Sequence, residues 1–543
     1  MTDQNWVPSF LLKTTGWGGR FMGMGIGAIA VLGHAPFHLW PLALLSLALL
    51  LARLKLVSDN GPSAKKGLLR LGFGTAFWYG LGYFLAGTYW IGSAFIARGP
   101  EFIPIMPPMV LMLGALLAFF WGMAGAVFVK MRPTGLVILP AFFSAFFLAE
   151  FVRGHIFGGF PWNLMGYIFE AGGPVSQFAA YGGIYGLTFI VFVLSACLYG
   201  VIFTRNRLPY AMSFLVLLGG IYGAGYLRLS NAKIETVDGV KLRIAHVRFN
   251  QKDKFDPESA FNIVNDFITQ SVAPGIEDVT HLIWPEGAVN GLALENSALL
   301  GAMGYELSLI DKTPPVWLLN SLRHEQRPNP LGGGKVIDDY YNTSAAITFT
   351  PQGIPSIAAT NDKQRLVPFG EFIPGGKWME ARNVPVISTS LLSISAAKTK
   401  ALAEFPGVPK LSPQICYEII FSGITPRPKN EPKAQWILNQ SNDAWYGNSI
   451  GPRQHANMSR YRAIEEGVPV IRAASNGISA VIDPFGRYKA SVTPEISQFV
   501  DEKLPKSLKN TRFSSKITLF LFLINLIISL SCVAVLRSSR ETP

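Results

Sequence analysis

Three polar side chains at the ends of apolar segments carry the chemistry available to this sequence. Glu286 follows LIWP, where an apolar run breaks on a proline, and Lys363 sits in NDKQRLVPFGEFIP, which also holds Glu371. Cys416 ends the run SPQIC and is followed by Tyr417 and Glu418. Singly, each has an ordinary explanation: a solvated loop carboxylate, a surface lysine, a buried thiol. Together they supply what acyl transfer needs. A free thiol has a pKa of about 8.5 and is mostly protonated at neutral pH, so it needs a base to accept its proton. A carboxylate meets that need, and a lysine ammonium can stabilise the oxyanion of a tetrahedral intermediate. No histidine near Cys416 offers another base. His455, the nearest downstream, falls in a helix whose face reads as solvated as readily as buried.

The other two cysteines, Cys197 and Cys532, lie inside FVLSACLYG and ISLSCVAVL and read as small apolar groups in lipid. Cys416 alone falls in a water-soluble stretch, with no partner there for a disulfide. A free cysteine is most often inert core, so the weight rests on its neighbours.

The elements that must position these groups are short strands rich in Val, Ile and aromatics: 240–247, 280–285, 315–320, 344–350, 412–418, 434–439, 468–474 and 478–483. Asp256-Pro257 marks a helix start ahead of ESAFNIVNDFITQSV, and a second helix is expected from Pro452 to Glu466, stopping at Gly467. Strands flanked by helices predict a layered α/β domain.

That domain is embedded in a chain of another kind. Half of the 543 residues are hydrophobic, 15% are charged and the mean hydropathy is +0.31. Soluble domains carry about 25% charged residues, so an ordinary soluble enzyme is excluded. Of the 34 acidic residues, 28 lie between 229 and 510. The expected division is therefore a seven-span membrane domain at 1–228, a soluble catalytic domain at 229–510, and a C-terminal span with a short tail at 511–543.

Segments near 15–33, 38–54, 68–97, 103–129, 134–152, 175–203, 208–228 and 516–536 approach the roughly 20 apolar residues a span requires. With both termini in the cytoplasm, the basic clusters Arg53/Lys55/Lys65/Lys66/Arg70, Lys130/Arg132, Arg205/Arg207 and Arg537/Arg540 all fall inside. The soluble domain then lies on the outer face. The net charge of +13 follows from this loop asymmetry and gives no reason to expect nucleic acid. Glu150 and Arg153, at the end of the fifth span, read as a local pair or as a lipid-headgroup contact.

WPEG around Glu286, KQRLVPFGEFIP around Lys363 and QICYE around Cys416 resemble the Glu-Lys-Cys triad of the nitrilase (carbon–nitrogen hydrolase) superfamily. Together with the flanking spans, GFPWNLMGY (159–167), SNDAWYGNSIGPRQH (441–455) and RAIEEGVPVIRAASNGISAVIDPFG (462–486), the chain resembles the membrane branch of that superfamily, the apolipoprotein N-acyltransferases. The resemblance implies a multi-span α-helical membrane domain carrying an extracytoplasmic αββα sandwich. It implies Glu286 as general base, Lys363 as oxyanion stabiliser and Cys416 as nucleophile, supported by Glu371, Tyr417 and Glu418. It further implies a phospholipid acyl donor, a diacylglyceryl-modified apolipoprotein acceptor and a bacterial inner membrane, with the catalytic domain periplasmic.

Phe255, Trp445 and Tyr446 are the expected substrate or lipid contacts. Phe255 stands where family members carry a tryptophan, which keeps the apolar surface but loses the indole donor. The apolar stretches 292–305 and 384–397 are expected either to gate substrate entry from the membrane interface or to pack as ordinary helices.

Two other readings remain open on sequence: a membrane-tethered amidase or nitrilase using water as acceptor, and a transporter or scaffold. Sparse intramembrane charge and the lack of an inverted repeat weigh against the latter. Neither metal-ligand spacing nor a phosphate-cradling glycine loop is present, so no metal or cofactor is expected.

Overall fold

The apolar segments before residue 230 form helices; after it short strands alternate with helices up to Pro505, and a last helix runs over Ser515–Glu541. The structure, a computed structural model, describes residues 9–62, 64–328, 336–373, 394–427, 432–509 and 515–541. These residues cluster into two units: Met1–Ala232 with Asn448–Glu466 and Thr511–Pro543, and Lys233–Gly447 with Gly467–Asn510.

In the first unit, five helices among the described residues are long and apolar enough to cross a membrane: Trp40–Asn60, Pro100–Met131, Gly135–Gly158, Val175–Phe203 and Leu208–Ser230. The other three expected spans are helical but fall short of that standard. Gly16–Ala30 has 15 residues, and Ser515–Glu541 carries a shorter apolar stretch, Leu519–Cys532. Lys65–Thr88 has the length, but its glycines dilute its hydropathy. Those glycines have a packing role instead. A Cβ on Gly82 would lie 2.0 Å from the Met24 carbonyl oxygen, and one on Gly27 would lie 2.0 Å from that of Tyr79. The two helices thus approach backbone to backbone, as small residues permit inside membranes.

Glu150 and Arg153 form a local pair, not a headgroup contact. The Arg153 guanidinium donates to both Glu150 oxygens at 2.8 Å, and Trp121 Nε1 donates to Oε1 at 2.8 Å. Both side chains are fully buried. The remaining guanidinium nitrogen donates to the carbonyls of Phe160 and Trp162, at 2.5 and 3.0 Å.

The helix Gly451–Glu466, expected within the catalytic domain, clusters with the first unit. Its sequence has no apolar face because polar pairs bury it: Trp162 Nε1 donates to Gln454 at 2.8 Å, Tyr461 donates to the Phe169 carbonyl at 2.7 Å, and Glu465 accepts the Ile184 N–H at 2.7 Å. His455 is accordingly not solvated; it is buried with its ring 5.3 Å from that of Trp162.

The second unit is built from two sheets. One holds β1 (Thr236–Ile244), β2 (His281–Ile283), β3 (Val316–Pro328), β4 (Val336–Phe349), β5 (Pro355–Asp362) and β11 (Val500–Pro505), in the order β11-β1-β2-β3-β4-β5. The other holds β6 (Leu411–Pro413), β7 (Trp436–Asn442), β8 (Val470–Ser475), β9 (Ser479–Ile482) and β10 (Tyr488–Val492), in the order β10-β9-β8-β7-β6.

Alternation along the strands sorts their side chains into two cores. Ile283, Leu318 and Ala346 join Leu438, Ile471 and Val481 between the sheets. Leu282, Trp284, Trp317 and Ile347 point the other way, onto the helices Pro257–Ser271 and Ser297–Ser308 through Phe267, Met303 and Leu307. The stretch 292–305 is thus largely an ordinary packed helix, with Ala293, Leu299 and Met303 in the core. Most of 384–397 lies outside the described residues.

Candidate active site

The candidate catalytic groups follow the carboxyl ends of strands, where open α/β sheets bind their ligands. Glu286 lies in the turn after β2, with Trp284 anchoring the preceding backbone in the core. Lys363 directly follows β5, and its N–H donates to the Asn342 carbonyl at 2.8 Å, extending the ladder with β4 by one residue. The expected strand 412–418 ends early, at Pro413. Cys416 instead opens a tight 3-10 turn, Cys416–Ile420, at φ +50°. A side chain other than glycine, asparagine or aspartate rarely takes that conformation, and such outliers concentrate at functional sites.

Polar ties join the two sheets beneath the site. Gln440 on β7 donates to the Trp284 carbonyl at 2.7 Å and accepts from Ser344 on β4 at 2.6 Å. Above them, Lys363 is the centre. Its ammonium, 1% exposed, donates to Glu371 Oε1 at 2.8 Å and stands 3.7 Å from Glu286 Oε1. Asn342 Nδ2 donates to both carboxylates, at 2.8 Å to Glu286 and 3.2 Å to Glu371. The Asn442 N–H holds the other Glu286 oxygen at 2.9 Å, and the Val367 N–H holds the other Glu371 oxygen at 2.7 Å.

Burial alone would discharge Lys363, but Glu371, Glu286 and Cys416 outweigh it and raise its pKa, which favours the charged ammonium. Burial pushes the Cys416 thiol well up; Glu286 adds to the rise, while Lys363 and a hydrogen bond with Ser441 oppose it. The resting group is therefore the thiol.

Glu418 ties the two loops together. Its Oε1 accepts the N–H groups of Gln364 and Arg365 at 2.7 and 2.8 Å, and its Oε2 accepts that of Ile415 at 2.8 Å. Burial pushes its carboxyl up to about 7, against Lys363 and these three donors. Tyr417 packs its ring edge-on to Phe421 at 5.0 Å. Tyr446 ends the turn Asp443–Tyr446, and its phenol, raised well above the ordinary value by burial, is raised further by Cys416 and Glu286. Trp445 beside it is partly buried, whereas Phe255 is 64% exposed at the end of the turn Gln251–Phe255.

Sequence reasoning thus names Glu286, Lys363, Cys416, Glu371 and Glu418, which the structure brings together, but it misses Asn342 and Asn442. Asn442 lies in SNDAWYGN, a stretch already singled out; Asn342 is disguised inside a long strand.

Two family models match the chain: one described as the apolipoprotein N-acyltransferase N-terminal domain, over residues 26–197, and one as carbon-nitrogen hydrolase, over residues 243–504. Curated proteins named apolipoprotein N-acyltransferase align along nearly the whole length. The Rhodopseudomonas palustris protein is 32% identical over 94% of this chain and 93% of its own. The Caulobacter vibrioides protein is 32% identical over 90% and 89%, and the Bradyrhizobium diazoefficiens protein is 33% identical over 93% and 92%. Apolar helices in one unit, a two-sheet hydrolase-like body in the other and this near full-length similarity make the chain a member of the apolipoprotein N-acyltransferase family.

Proposed function

We propose that the protein transfers a fatty acyl chain from a membrane phospholipid, through a thioester on Cys416, to the α-amino group of the N-terminal diacylglyceryl-cysteine of apolipoproteins. The observation that carries this reading is the buried cluster of a thiol, a carboxylate held by two donors and a lysine ammonium. Glu286 takes the Cys416 proton as sulfur attacks the ester carbonyl, and Lys363 stabilises the oxyanion that develops. The C–S bond forms, the ester C–O bond breaks, and Glu286 returns the proton to the departing lysophospholipid alkoxide. In the second half the acceptor amine attacks the thioester and gives its proton to Glu286. The C–N bond forms, the C–S bond breaks, and the proton passes to the thiolate.

Glu371 holds Lys363 in place, and Glu418 fixes the loops of Lys363 and Cys416 to each other. Phe255, Trp445 and Tyr446 contact lipid substrate. The enzyme lies in the bacterial inner membrane, with both termini in the cytoplasm and the catalytic unit periplasmic, an orientation supported by the basic residues of the expected inner loops.

The test supplies purified protein with phospholipid and a diacylglyceryl-cysteine peptide. The expected product is the N-acylated peptide with lysophospholipid. Free fatty acid as the sole product would remove the transferase reading.

A further inference from the structure

The mechanism leaves the buried Lys254 without a role. Lys254 is 7% exposed, and among the described residues no carboxylate lies within ion-pair distance of its ammonium. Its nitrogen lies 5.8 Å from the centre of the Phe249 ring and feels the electrostatic pull of Glu286. A Cβ added to Gly287, the residue after Glu286, would lie 3.1 Å from Lys254 Nζ and 2.6 Å from Asn442 Nδ2. Lys254 therefore flanks the same short backbone stretch as Asn442, whose N–H holds Glu286.

The position is built. Lys254 sits in the turn Gln251–Phe255, at whose start the N–H and Nδ2 of Asn250 donate to Asp253 Oδ2 at 3.2 and 3.0 Å. Its carbonyl accepts Asn290 Nδ2 at 2.6 Å, and Asn442 Nδ2 donates to Gln251 at 3.2 Å. A long flexible side chain has been carried inward, where burial of an ammonium is expensive.

Charge explains the placement. Glu286 and Glu371 share the single ammonium of Lys363, and Glu371 takes the shorter bond. The neighbouring acids are served separately: Asp443 pairs with Arg472 at 2.5 Å, and three backbone N–H groups hold Glu418. Glu286, Glu371 and Lys363 alone would leave one uncompensated negative charge. That excess would favour a protonated, idle Glu286 and oppose ionisation of Cys416.

We propose that Lys254 is a positioning residue for the reaction, a second buried cation that offsets the Glu286 carboxylate and keeps it in its proton-accepting form. This rests on Glu286 as the general base. Burial lowers the Lys254 pKa to about 8 against the pull of Glu286, so the residue is still charged across the range where a carboxylate titrates. The other groups acting on this cluster are Lys363, Glu371, Cys416 and Tyr446. The adjacent Asp253 caps its own turn.

The experiment measures Cys416 acylation from phosphatidylethanolamine and phosphatidylglycerol vesicles between pH 4 and 8, where neither headgroup changes charge. In Lys254→Met the acidic limb should move up by about one pH unit, giving a tenfold slower rate below the limb, and in Lys254→Arg it should return toward wild type. Lys254→Gln carries the same test should the methionine variant not fold. An unmoved limb with a rate lowered equally at every pH, or an arginine variant shifted as far as methionine, overturns the inference. Glu286→Gln acylating at the wild-type rate would instead remove the base assignment beneath it.

Discussion

The ammonium of Lys363 donates to Glu371 at 2.8 Å while Glu286 stands 3.7 Å from the same nitrogen. The lysine is therefore bound more closely by Glu371, and Glu286 is held chiefly by the donors of Asn342 and Asn442. In the mechanism we propose, this inequality lets Glu371 orient the lysine while Glu286 exchanges protons.

Replacing Glu371 with Gln should slow acylation about 100-fold, the kinetic equivalent of losing a charge-assisted hydrogen bond worth roughly 1.5–3 kcal/mol. Lys363 would turn toward Glu286 and away from the position in which it stabilises the oxyanion. Single-turnover kinetics measure this, and a rate within threefold of wild type would show that Glu371 does not set the position of Lys363.

Gly287→Ala should lower both activity and stability. The residue has φ +77°, which costs a side chain roughly 1–2 kcal/mol, and the new Cβ would meet Asn442 Nδ2 at 2.6 Å. Displacing Asn442 disturbs the N–H bond to Glu286. Thermal unfolding and acylation rate should fall together; full activity would mean that the Asn442 contact is dispensable.

Glu418 makes a pH-dependent contribution to stability. Its carboxyl, ordinarily near 4.5, is pushed up to about 7, so the folded protein retains the proton to higher pH than the unfolded chain does. The stabilisation is fully present below the unfolded value and is lost as pH rises through 7, amounting to about 3 kcal/mol. The unfolding temperature of wild type should thus drop by several degrees more than that of Glu418→Gln between pH 4.5 and 7.5. Parallel profiles would contradict this.

Much of the arrangement is legible in the sequence because it obeys local rules. THLIWPE and SPQICYE place an apolar run directly before a reactive group, and Asp256-Pro257 caps its helix by accepting the Ser259 N–H at 2.9 Å. What escapes is set by tertiary context. The strands β10 (YKASV) and β11 (VDEKLP) lie at sheet edges, where charged residues are tolerated and no apolar run marks them. The helix Gly451–Glu466 is foreseen, but its grouping with the first unit is not, because ion pairs such as Arg462–Glu465, 2.9 Å apart, replace an apolar face. The site is legible in its charged members and hidden in its asparagines, since Asn342 acts through a donor that any polar strand residue could resemble.

The central claim is that the acyl chain is held by Cys416, and intact mass of the protein after exposure to phospholipid alone tests it most directly. Wild type should gain the mass of one acyl group and lose it on addition of a diacylglyceryl-cysteine peptide, while Cys416→Ala should gain nothing. An acyl adduct of wild-type amount on Cys416→Ala, or an adduct that the peptide amine leaves in place, would contradict the account.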